Sequence, residues 1–453
     1  MSIDLAAFDR AIARHQRHSR LPAVAAAVSV DGHPLWQGAA GHLDGRQVPA
    51  TPQAQFRIGS ITKTFVAVLV LRLVQSRLLD LDEPLQEVLP DARLGAEVGD
   101  LRIEQVISMG SGMRAETQGP WWERTPGIAW ADLEFQLRSW PVARGAFHYS
   151  NVGFAILGQV VSEIVGRPWH EVLTEEILQP LGLSRTTLRP EPAHATGLAV
   201  HPHADSLLVE PEHDADAMAP AGQLWSTTQD LLRWTASLQG VDGVPRVLEP
   251  ETVAAMRRPR TFSDVPGQPW TLGYGYGLMV SNIEGRRRYG HGGSMPGFQA
   301  RWWFELDDAN QAGAAVVVLT NSTAAQVDPL VEELFSLAGE ERSQVLAAWR
   351  AHDHPIDLLD LTGTWYWGPA QYDLALLPGE HLELRPVGRG RGSRFRPVGP
   401  DIWEGLDDYF LGEALHVVRR DGHPHHLDLA SFRLTRTPYH PDADLPGGPA
   451  PWA

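Results

Sequence analysis

Apolar residues recur with two different periodicities along the chain, and the change from one periodicity to the other divides the chain into two parts. In the first part, which ends near residue 345, apolar residues recur every three or four positions, as in a helix with one buried face. In the second part, short apolar runs are separated by turn residues, which is typical of strands. Helices are predicted most clearly at residues 60–77, 151–166, 169–182, 227–239 and 327–349.

Strand patterns stand at both ends of the first part. Two apolar runs near the N-terminus are joined by Asp31-Gly32, a pair that favours a tight hairpin turn. Further strands are predicted at residues 274–282, 286–293, 298–306 and 313–322. Because helices separate the early strands from the late ones, we expect one sheet assembled from distant segments, in an α/β or α+β domain.

The length of the chain predicts more than one domain. Its 453 residues exceed what one hydrophobic core usually organises. The change in apolar periodicity predicts a large domain at residues 1–345, followed by a polar, proline-bearing linker at residues 346–358. Residues 359–453 are then expected to form a small antiparallel β-barrel or sandwich.

Composition excludes several classes of function. The chain has 38 basic and 55 acidic residues and a net charge of −17, the opposite of what contacts with a nucleic-acid backbone require. It has no cysteine, so disulfides, thiolate zinc sites and a cysteine nucleophile are excluded. The histidine groups at residues 201–203 and 423–426 lack partners at metal-ligand spacing, so neither a metal nor another cofactor is predicted.

The N-terminal segment bears on localisation. It reads as an amphipathic helix and lacks the apolar run of a secretory signal. The most apolar run of the chain, residues 65–74, is shorter than the roughly 20 residues of a membrane span and is interrupted by Arg72. We therefore expect a cytoplasmic protein without a membrane or nucleic-acid partner.

A single lysine, Lys63, occurs among the 38 basic residues, in the sequence RIGSITKTF. Ser60 and Lys63 are three residues apart at the start of a predicted helix, so their side chains share one face. A serine hydroxyl becomes a good nucleophile when a base takes its proton, and lysine can be that base if its pKa is lowered. Arginine cannot replace it, because arginine keeps its proton at accessible pH. The pair predicts a nucleophilic serine activated by lysine.

Two further short motifs carry chemically useful groups. Tyr149 and Asn151 combine a phenol that can transfer a proton with a carboxamide that can orient a carbonyl group. His291 can assist proton transfer or bind a carboxylate, and Gly293, with the glycine before it, would let a substrate approach a strand edge closely. The main-chain N–H of Ser294 can point into the same site. Taken singly, these motifs also fit a buried tyrosine with a capping asparagine and a glycine turn.

The three motifs together resemble those of the serine β-lactamase and penicillin-binding-protein superfamily, in order and in separation. They read Ser60-x-x-Lys63, Tyr149-x-Asn151 and His291-x-Gly293. The tyrosine and histidine forms are similar to the class C-like branch of β-lactamases, D-peptidases and esterases, and the resemblance extends over about residues 5–340. It implies an antiparallel sheet flanked by helices, with a helical subdomain.

The resemblance also implies a role for each residue. Ser60 attacks a carbonyl carbon, and Lys63 and Tyr149 share the proton transfers, so that either of them can be the base. Asn151 holds the acyl side chain. The N–H groups of Ser60 and Ser294 form the oxyanion hole, which is usually the largest contribution in acyl transfer.

The lipocalin-like appearance of the C-terminal part and the lack of an export signal narrow the resemblance to standalone penicillin-binding-protein-type thioesterases of nonribosomal peptide biosynthesis. Ser60 would take a peptidyl group from a carrier-protein thioester, or from another small acyl substrate, and the peptide's own amine would close the ring. Trp225 would lie beside the site and Arg436 would reach it from the β-domain. Otherwise Trp225 is a packing residue and Arg436 forms a surface ion pair.

Two alternatives remain open at this point. One is a cytoplasmic D-stereospecific peptidase, esterase or β-lactamase-like hydrolase that uses the same groups and transfers the acyl group to water. The other is a non-catalytic binding protein descended from the same fold. Retention of Lys63 as the sole lysine disfavours the second alternative, because a site without chemistry would not require it.

Overall fold

The computed structural model describes residues 4–143, 145, 147–283, 285–307, 311–323, 325–345 and 355–438. The chain divides into two compact units, residues 1–346 and 347–453. The sequence predicts the end of the first domain at residue 345, one residue before the boundary between the two units. The predicted linker at 346–358 and the end of the helix predicted at 327–349 fall partly on residues 346–354, which lie outside the described residues.

The first unit contains both helices and strands. Its strands are β1 (Ala23–Val30), β2 (His33–Gly41), β3 (Phe56–Arg57), β4 (Leu198–Val200), β5 (Leu207–Val209), β6 (Trp225–Ser226), β7 (Thr261–Phe262), β8 (Leu272–Tyr274), β9 (Met279–Ile283), β10 (Arg286–Met295), β11 (Phe298–Leu306) and β12 (Ala312–Thr320). Its helices are α1 (Leu5–His18), α2 (Thr62–Gln75), α3 (Leu85–Val88), α4 (Ala96–Gly99), α5 (Ile103–Ile107), α6 (Trp130–Leu137), α7 (Asn151–Val165), α8 (Trp169–Leu173), α9 (Gln179–Leu181), α10 (Ala219–Gly222), α11 (Thr228–Gln239), α12 (Pro250–Arg257) and α13 (Asp328–Val345).

An eight-stranded antiparallel sheet organises this unit, in the order β2-β1-β12-β11-β10-β9-β8-β7. Strand β1 is apolar except for Ser29 and is buried along almost its whole length, because both faces of the sheet are covered. The even-numbered residues from Val24 to Val28 pack against α1 and α13. The odd-numbered residues from Ala23 to Ala27 face the larger core, which includes α2, α7 and α11.

Helix α2 lies at the centre of the larger core. Eleven of its residues between Thr62 and Leu73 are buried, so it is apolar on every side, and the ring of Phe65 stacks on that of Trp234 at 4.4 Å. No helix in the described parts of the chain is long and apolar enough to cross a membrane. Because α2 is enclosed on all sides, a polar residue in its first turn is removed from bulk water.

One predicted helix is interrupted. The segment 169–182 consists of α8, a π-helical turn at Thr174–Leu178 and α9. Pro180 near its end has no N–H for a regular helical hydrogen bond, and a widened turn is one way in which a helix accommodates such a residue. The periodicity of the sequence detects the helical direction of this segment but not its change of winding.

The second unit is a closed antiparallel barrel of eight strands that follow one another in chain order. A short helix, α14 (Ile356–Leu359), precedes it. The strands are β13 (Gly363–Trp367), β14 (Ala370–Leu377), β15 (His381–Pro386), β16 (Ser393–Gly399), β17 (Ile402–Gly405), β18 (Ala414–Arg420), β19 (His423–Leu429) and β20 (Phe432–Thr435). The predicted fold class, a helix-flanked antiparallel sheet followed by a small antiparallel barrel, is confirmed.

Candidate active site

Ser60 lies in a tight turn, Gly59–Ile61, that leads directly into α2. Gly59 has a φ of +52°, and a Cβ atom there would lie 2.5 Å from the main-chain nitrogen of Ser294. Glycine therefore allows both the left-handed backbone and the close approach of this turn to β10. The turn presents Ser60 to a cleft of about 520 Å³ that Tyr149 and His291 also line.

Lys63 occupies the first turn of α2, and its side chain is completely buried. Its Nζ lies 2.9 Å from Ser60 Oγ, 2.7 Å from Asn151 Oδ1 and 2.6 Å from the carbonyl oxygen of Ala221. Asn151 Oδ1 and the Ala221 carbonyl oxygen can only accept hydrogen bonds, so each receives one N–H group of Lys63. The third direction around the nitrogen then faces Ser60. In the neutral amine that direction is the lone pair, which can accept the serine proton.

Burial lowers the pKa of Lys63 to about 7, because the charged form loses its hydration. Near neutral pH a large share of Lys63 is therefore the free amine. Tyr149 shifts in the opposite direction: burial raises the pKa of its hydroxyl above the ordinary value, although a hydrogen bond with Ser60 counteracts part of this. Lys63 is thus the better base, and Tyr149, as a neutral phenol, suits proton donation to a leaving group.

The pH dependence of activity should report the protonation of Lys63. Below its pKa Lys63 is an ammonium ion and cannot accept a proton, so we expect kcat/KM to fall as the pH drops through about 7. The carboxylates of Glu116 and Glu123 raise this pKa, so Glu116→Gln should move the acid limb to lower pH. Initial rates with an ester substrate between about pH 5 and about pH 9 test both statements. A profile that is flat across neutrality would contradict them.

Asn151 is the first residue of α7, and its carboxamide connects Lys63 to an acidic loop. Its Oδ1 accepts from Lys63, while its Nδ2 donates to Glu116 Oε1 at 2.6 Å. Glu116 Oε2 in turn accepts from the indole N–H of Trp122 at 2.7 Å. This chain of hydrogen bonds fixes which side of the amide faces Lys63. Glu116 was not identified from the sequence, and it stands in a loop without periodicity or a recognisable motif.

The main chain of β10 supplies the second side of the site. Met295 and Phe298 close a two-residue hairpin with β11, so Ser294, opposite Gln299, falls at a position whose N–H points away from β11. Strand β9 pairs with β10 over residues 286–290 and ends before Ser294. The N–H of Ser294 is therefore directed to the Ser60 turn. Two N–H groups, those of Ser60 and Ser294, can stabilise an oxyanion formed between them.

The close approach of β10 to the Ser60 turn depends on Gly293. A Cβ atom at this position would lie 1.9 Å from the carbonyl oxygen of Ile58. We expect Gly293→Ala to displace β10 and lower kcat/KM about 100-fold or more, comparable to the loss of one oxyanion-hole donor. Gly339→Ala is the matched control, because a Cβ atom there meets nothing within 4 Å. Equal activity of both variants, measured with an ester substrate, would contradict this account of the hole.

His291 lines the cleft, but its imidazole is fully buried and both ring nitrogens have partners. Nδ1 lies 2.5 Å from the carbonyl oxygen of Gly292, and Nε2 lies 3.1 Å from the hydroxyl of Tyr274. A carbonyl only accepts, so the proton belongs on Nδ1, and Tyr274 donates to Nε2. Burial lowers the pKa of His291 to about 3, so it is neutral. His291 is thus a neutral, buried residue of the cleft wall, and its roles in proton transfer and carboxylate binding stay predictions.

Two further predicted site residues are held by contacts within their own units. Trp225 is 2 % exposed, pairs in β6 with Arg57, and its ring packs 5.1 Å from that of Phe298, so it is a core residue. Arg436 lies in the barrel unit, where its guanidinium donates to the carbonyl oxygens of Thr362 and Thr364 and stacks 3.9 Å from the ring centre of Trp365. Its role at the Ser60 site stays a prediction.

Arg301 is a positively charged residue of the cleft lining. It extends from β11 over Gly292, where it donates to Asp328 and to the amide oxygen of Gln299. Among the residues that the structure describes, no group of three or more histidine, aspartate or glutamate side chains could hold a metal ion.

Ser60, Lys63 and Tyr149 together provide a hydroxyl nucleophile and two groups that can transfer protons. This arrangement suits acyl transfer through a serine ester.

Comparisons with known proteins agree with this geometry. A family model described as Beta-lactamase matches residues 8–336. A second, described as a domain of unknown function (DUF7586), matches residues 354–436. Penicillin-binding protein 4 of Amycolatopsis lactamdurans is 29 % identical over 372 residues, which cover 76 % of this chain and 93 % of the relative. The first match contains all three motifs that line or support the cleft.

Two further similarities involve enzymes named for D-amino acids. A D-aminopeptidase of Brucella anthropi is 25 % identical over 457 residues, which cover 96 % of this chain and 79 % of the relative. The crystal structure of D-amino acid amidase from Ochrobactrum anthropi SV3, in complex with L-phenylalanine amide, has a TM-score of 0.64 at 22 % identity and covers 75 % of this chain and all of the other. The latter is a similarity of fold.

Proposed function

This chain belongs to the beta-lactamase family of serine hydrolases, and from that premise we propose that it hydrolyses the amide bond of a D-amino-acid residue whose α-amino group is free. The observation that supports serine hydrolase chemistry is the buried amine of Lys63, which lies 2.9 Å from Ser60 Oγ and whose pKa burial lowers to about 7. The D configuration rests on the names of the relatives, a D-aminopeptidase among them. This reading corresponds to the hydrolase alternative of the sequence analysis.

The free α-amino group is inferred from the acidic loop. Glu116 is solvent-exposed, and its carboxylate accepts the hydrogen bond from the Asn151 amide, so an anion lies one hydrogen bond beyond the side chain to which the resemblance assigns the acyl group. The carboxylate of Glu123 raises the pKa values of Lys63 and Tyr149, while burial raises the pKa of Glu123 itself. Two carboxylates at this position attract an ammonium group and repel a carboxylate. A substrate with a free amine at its N-terminus meets this requirement.

The reaction has two steps. Ser60 attacks the carbonyl carbon while Lys63 accepts the hydroxyl proton, and the oxyanion is bound by the N–H groups of Ser60 and Ser294. Tyr149 donates its proton to the departing amine, and the proton that Lys63 accepted then passes to Tyr149, so that both groups regain their starting protonation states. A water molecule then attacks the ester, Lys63 takes its proton, and the proton returns to Ser60 as the amino acid leaves.

Substrate configuration tests the proposal. D-alanyl-p-nitroanilide, its L enantiomer and the N-acetylated D compound are compared by the release of p-nitroaniline. We expect kcat/KM for the D compound to exceed that of the L compound about 100-fold or more, and that of the N-acetylated compound about tenfold or more. Preference for the L compound, or for the acetylated one, would overturn the proposal without affecting the assignment of Ser60.

Replacement of Glu116 distinguishes its effect on binding of the substrate's α-amino group from its effect on the acyl-transfer reaction. Glutamine keeps an oxygen for the Asn151 N–H but removes the charge, so Glu116→Gln should raise KM for the D compound about tenfold. The rate with the N-acetylated compound should change little at a pH where Lys63 is neutral. Glu134→Gln, which removes the charge that pairs with Arg138, is the control. Equal loss for both substrates would assign Glu116 to positioning of Asn151 alone.

Head-to-tail cyclisation of a peptidyl thioester, predicted from the resemblance, shares the acylation step and differs in the acceptor. A linear peptidyl thioester mimic that ends in a D-residue separates the two outcomes. The hydrolase proposal predicts the linear acid, whereas a cyclic product, lighter by one water, would favour the cyclase. Mass spectrometry of the products distinguishes them directly.

A further inference from the structure

Part of the barrel interior is packed with side chains. Trp365 is buried, its indole N–H donates to the carbonyl oxygen of Leu361 at 2.8 Å, and Arg436 stacks on its ring. Leu374, Leu382 and other apolar side chains from alternate positions of the strands continue this packed core. This part of the barrel is filled by its own side chains.

A pocket of about 300 Å³ remains within the same barrel, and it is called the barrel pocket here. Its wall consists mainly of aromatic and aliphatic side chains from five strands of the barrel and from the turn before β18. These side chains are Trp367, Tyr372, Leu384, Phe410, Leu429, Phe432 and Leu434. The interior of an eight-stranded barrel has room either for packed side chains or for one small ligand. In this barrel, packed side chains fill part of the interior and the barrel pocket occupies another part.

The aromatic side chains of the barrel pocket form a connected group. The rings of Trp367 and Phe432 meet edge to face at 5.2 Å, and Phe432 also contacts Phe410 at 5.8 Å. Trp367 is 44 % exposed, and Tyr409, which stands next to this group, is 55 % exposed. Large apolar side chains grouped around an open cavity indicate a binding site more often than a packing defect.

Two arginines of the loop between β15 and β16, Arg389 and Arg391, border the barrel pocket. Arg391 stacks 4.0 Å from the ring centre of Tyr409 and lies 5.8 Å from that of Phe432. Elsewhere in the barrel, exposed arginines such as Arg396 pair with acidic side chains. Within the described residues, neither Arg389 nor Arg391 has such a partner. In a chain of net charge −17, this is a local excess of positive charge beside an apolar cavity.

We propose that the barrel pocket binds a small molecule that combines an apolar body with a single carboxylate. The aromatic wall takes the apolar body, and the guanidinium groups, which match a carboxylate in shape and charge, hold the acid group at the rim. Medium-chain fatty acids and aryl-substituted acids share this chemistry. The site is separate from the Ser60 cleft, because every residue that lines it belongs to the barrel unit.

Calorimetric titration of the full chain with octanoate and with 3-phenylpropionate tests the proposal. We expect at least one to bind, and 1-octanol and octylamine to bind about tenfold or more weakly, because they lack the carboxylate. Binding of one acid and not the other identifies the source as aliphatic or aromatic. No binding of either acid, or equal binding of octylamine and octanoate, would overturn the proposal.

Three variants locate the binding. The double variant Arg389→Gln/Arg391→Gln should weaken carboxylate binding about tenfold or more. Ala370→Phe, at an exposed wall position, should abolish it by filling the pocket. Arg385→Gln, which removes an exposed arginine that pairs with Glu383 in β15, should bind as the parent does. Thermal unfolding verifies folding of each variant. Undiminished binding by both pocket variants would place the ligand elsewhere and contradict the proposal.

Discussion

Replacement of Ser60 by alanine should remove turnover, with kcat reduced by a factor of about 10⁴ to 10⁶. The reason is that Ser60 Oγ is the hydroxyl that forms hydrogen bonds with both Lys63 and Tyr149, the two groups that handle the protons of the reaction. Binding of substrate and the oxyanion hole remain, which leaves a small residual rate over water. Release of p-nitroaniline from D-alanyl-p-nitroanilide measures the loss.

Ser76→Ala is the matched control, because Ser76 is an exposed residue directly after the other end of the same helix. It should keep the parental kcat. Retained turnover in Ser60→Ala at more than a trace level would show that the nucleophile is another residue. The Ser60 variant should bind substrate as the parent does, so a loss of binding would indicate a disturbed cleft instead.

Lys63→Arg should lower kcat/KM about 10³-fold, although it keeps the positive charge. Lys63 Nζ is enclosed by Ser60 Oγ and two carbonyl oxygens, and its function requires a neutral form that arginine does not reach. Formation of the acyl-enzyme, followed as a burst with an activated ester, should disappear together with turnover. A burst of parental size and rate would contradict the assignment of Lys63 as base.

Arg72→Lys provides the reverse exchange on the same helix. Arg72 donates to Glu176 and to the carbonyl oxygen of Val247, away from the cleft, so this variant should remain active. Because arginine is larger than the space around Nζ, thermal unfolding of Lys63→Arg must be measured as well. Lys63→Ala, assayed with and without added ethylamine, gives a second test, since a small amine can restore part of the missing base.

The sequence predicts the centre of the site well, because its signals are local. The spacing of Ser60 and Lys63 on one helix turn is sufficient to bring their side chains to 2.9 Å. The glycine motif of β10 is equally local, and the structure shows its physical reason in the contact of Gly293 with the Ser60 turn. Strand and helix periodicity likewise predict the two units, since burial imposes a regular pattern on each element.

Long-range contacts explain what the sequence does not predict. Hydrogen bonds from the Asn151 amide and the Trp122 indole position the Glu116 carboxylate, and neither contact produces a periodic pattern in the sequence. His291 is found by its motif, yet its neutral state follows from burial, and its hydrogen-bond partner Tyr274 comes from β8, two strands away in the sheet. A sequence also does not distinguish a tryptophan in the core from one that lines a cleft, and Trp225 belongs to the core.

The central claim is that Ser60 is acylated by a D-aminoacyl group, and intact-protein mass spectrometry after rapid acid quenching tests it most directly. With D-alanine p-nitrophenyl ester we predict a mass increase of one alanyl group, located by peptide mapping to the peptide that contains Ser60. The adduct should be absent from Ser60→Ala and much weaker with the L ester. An adduct on another residue, or equal labelling by both enantiomers, would contradict the account.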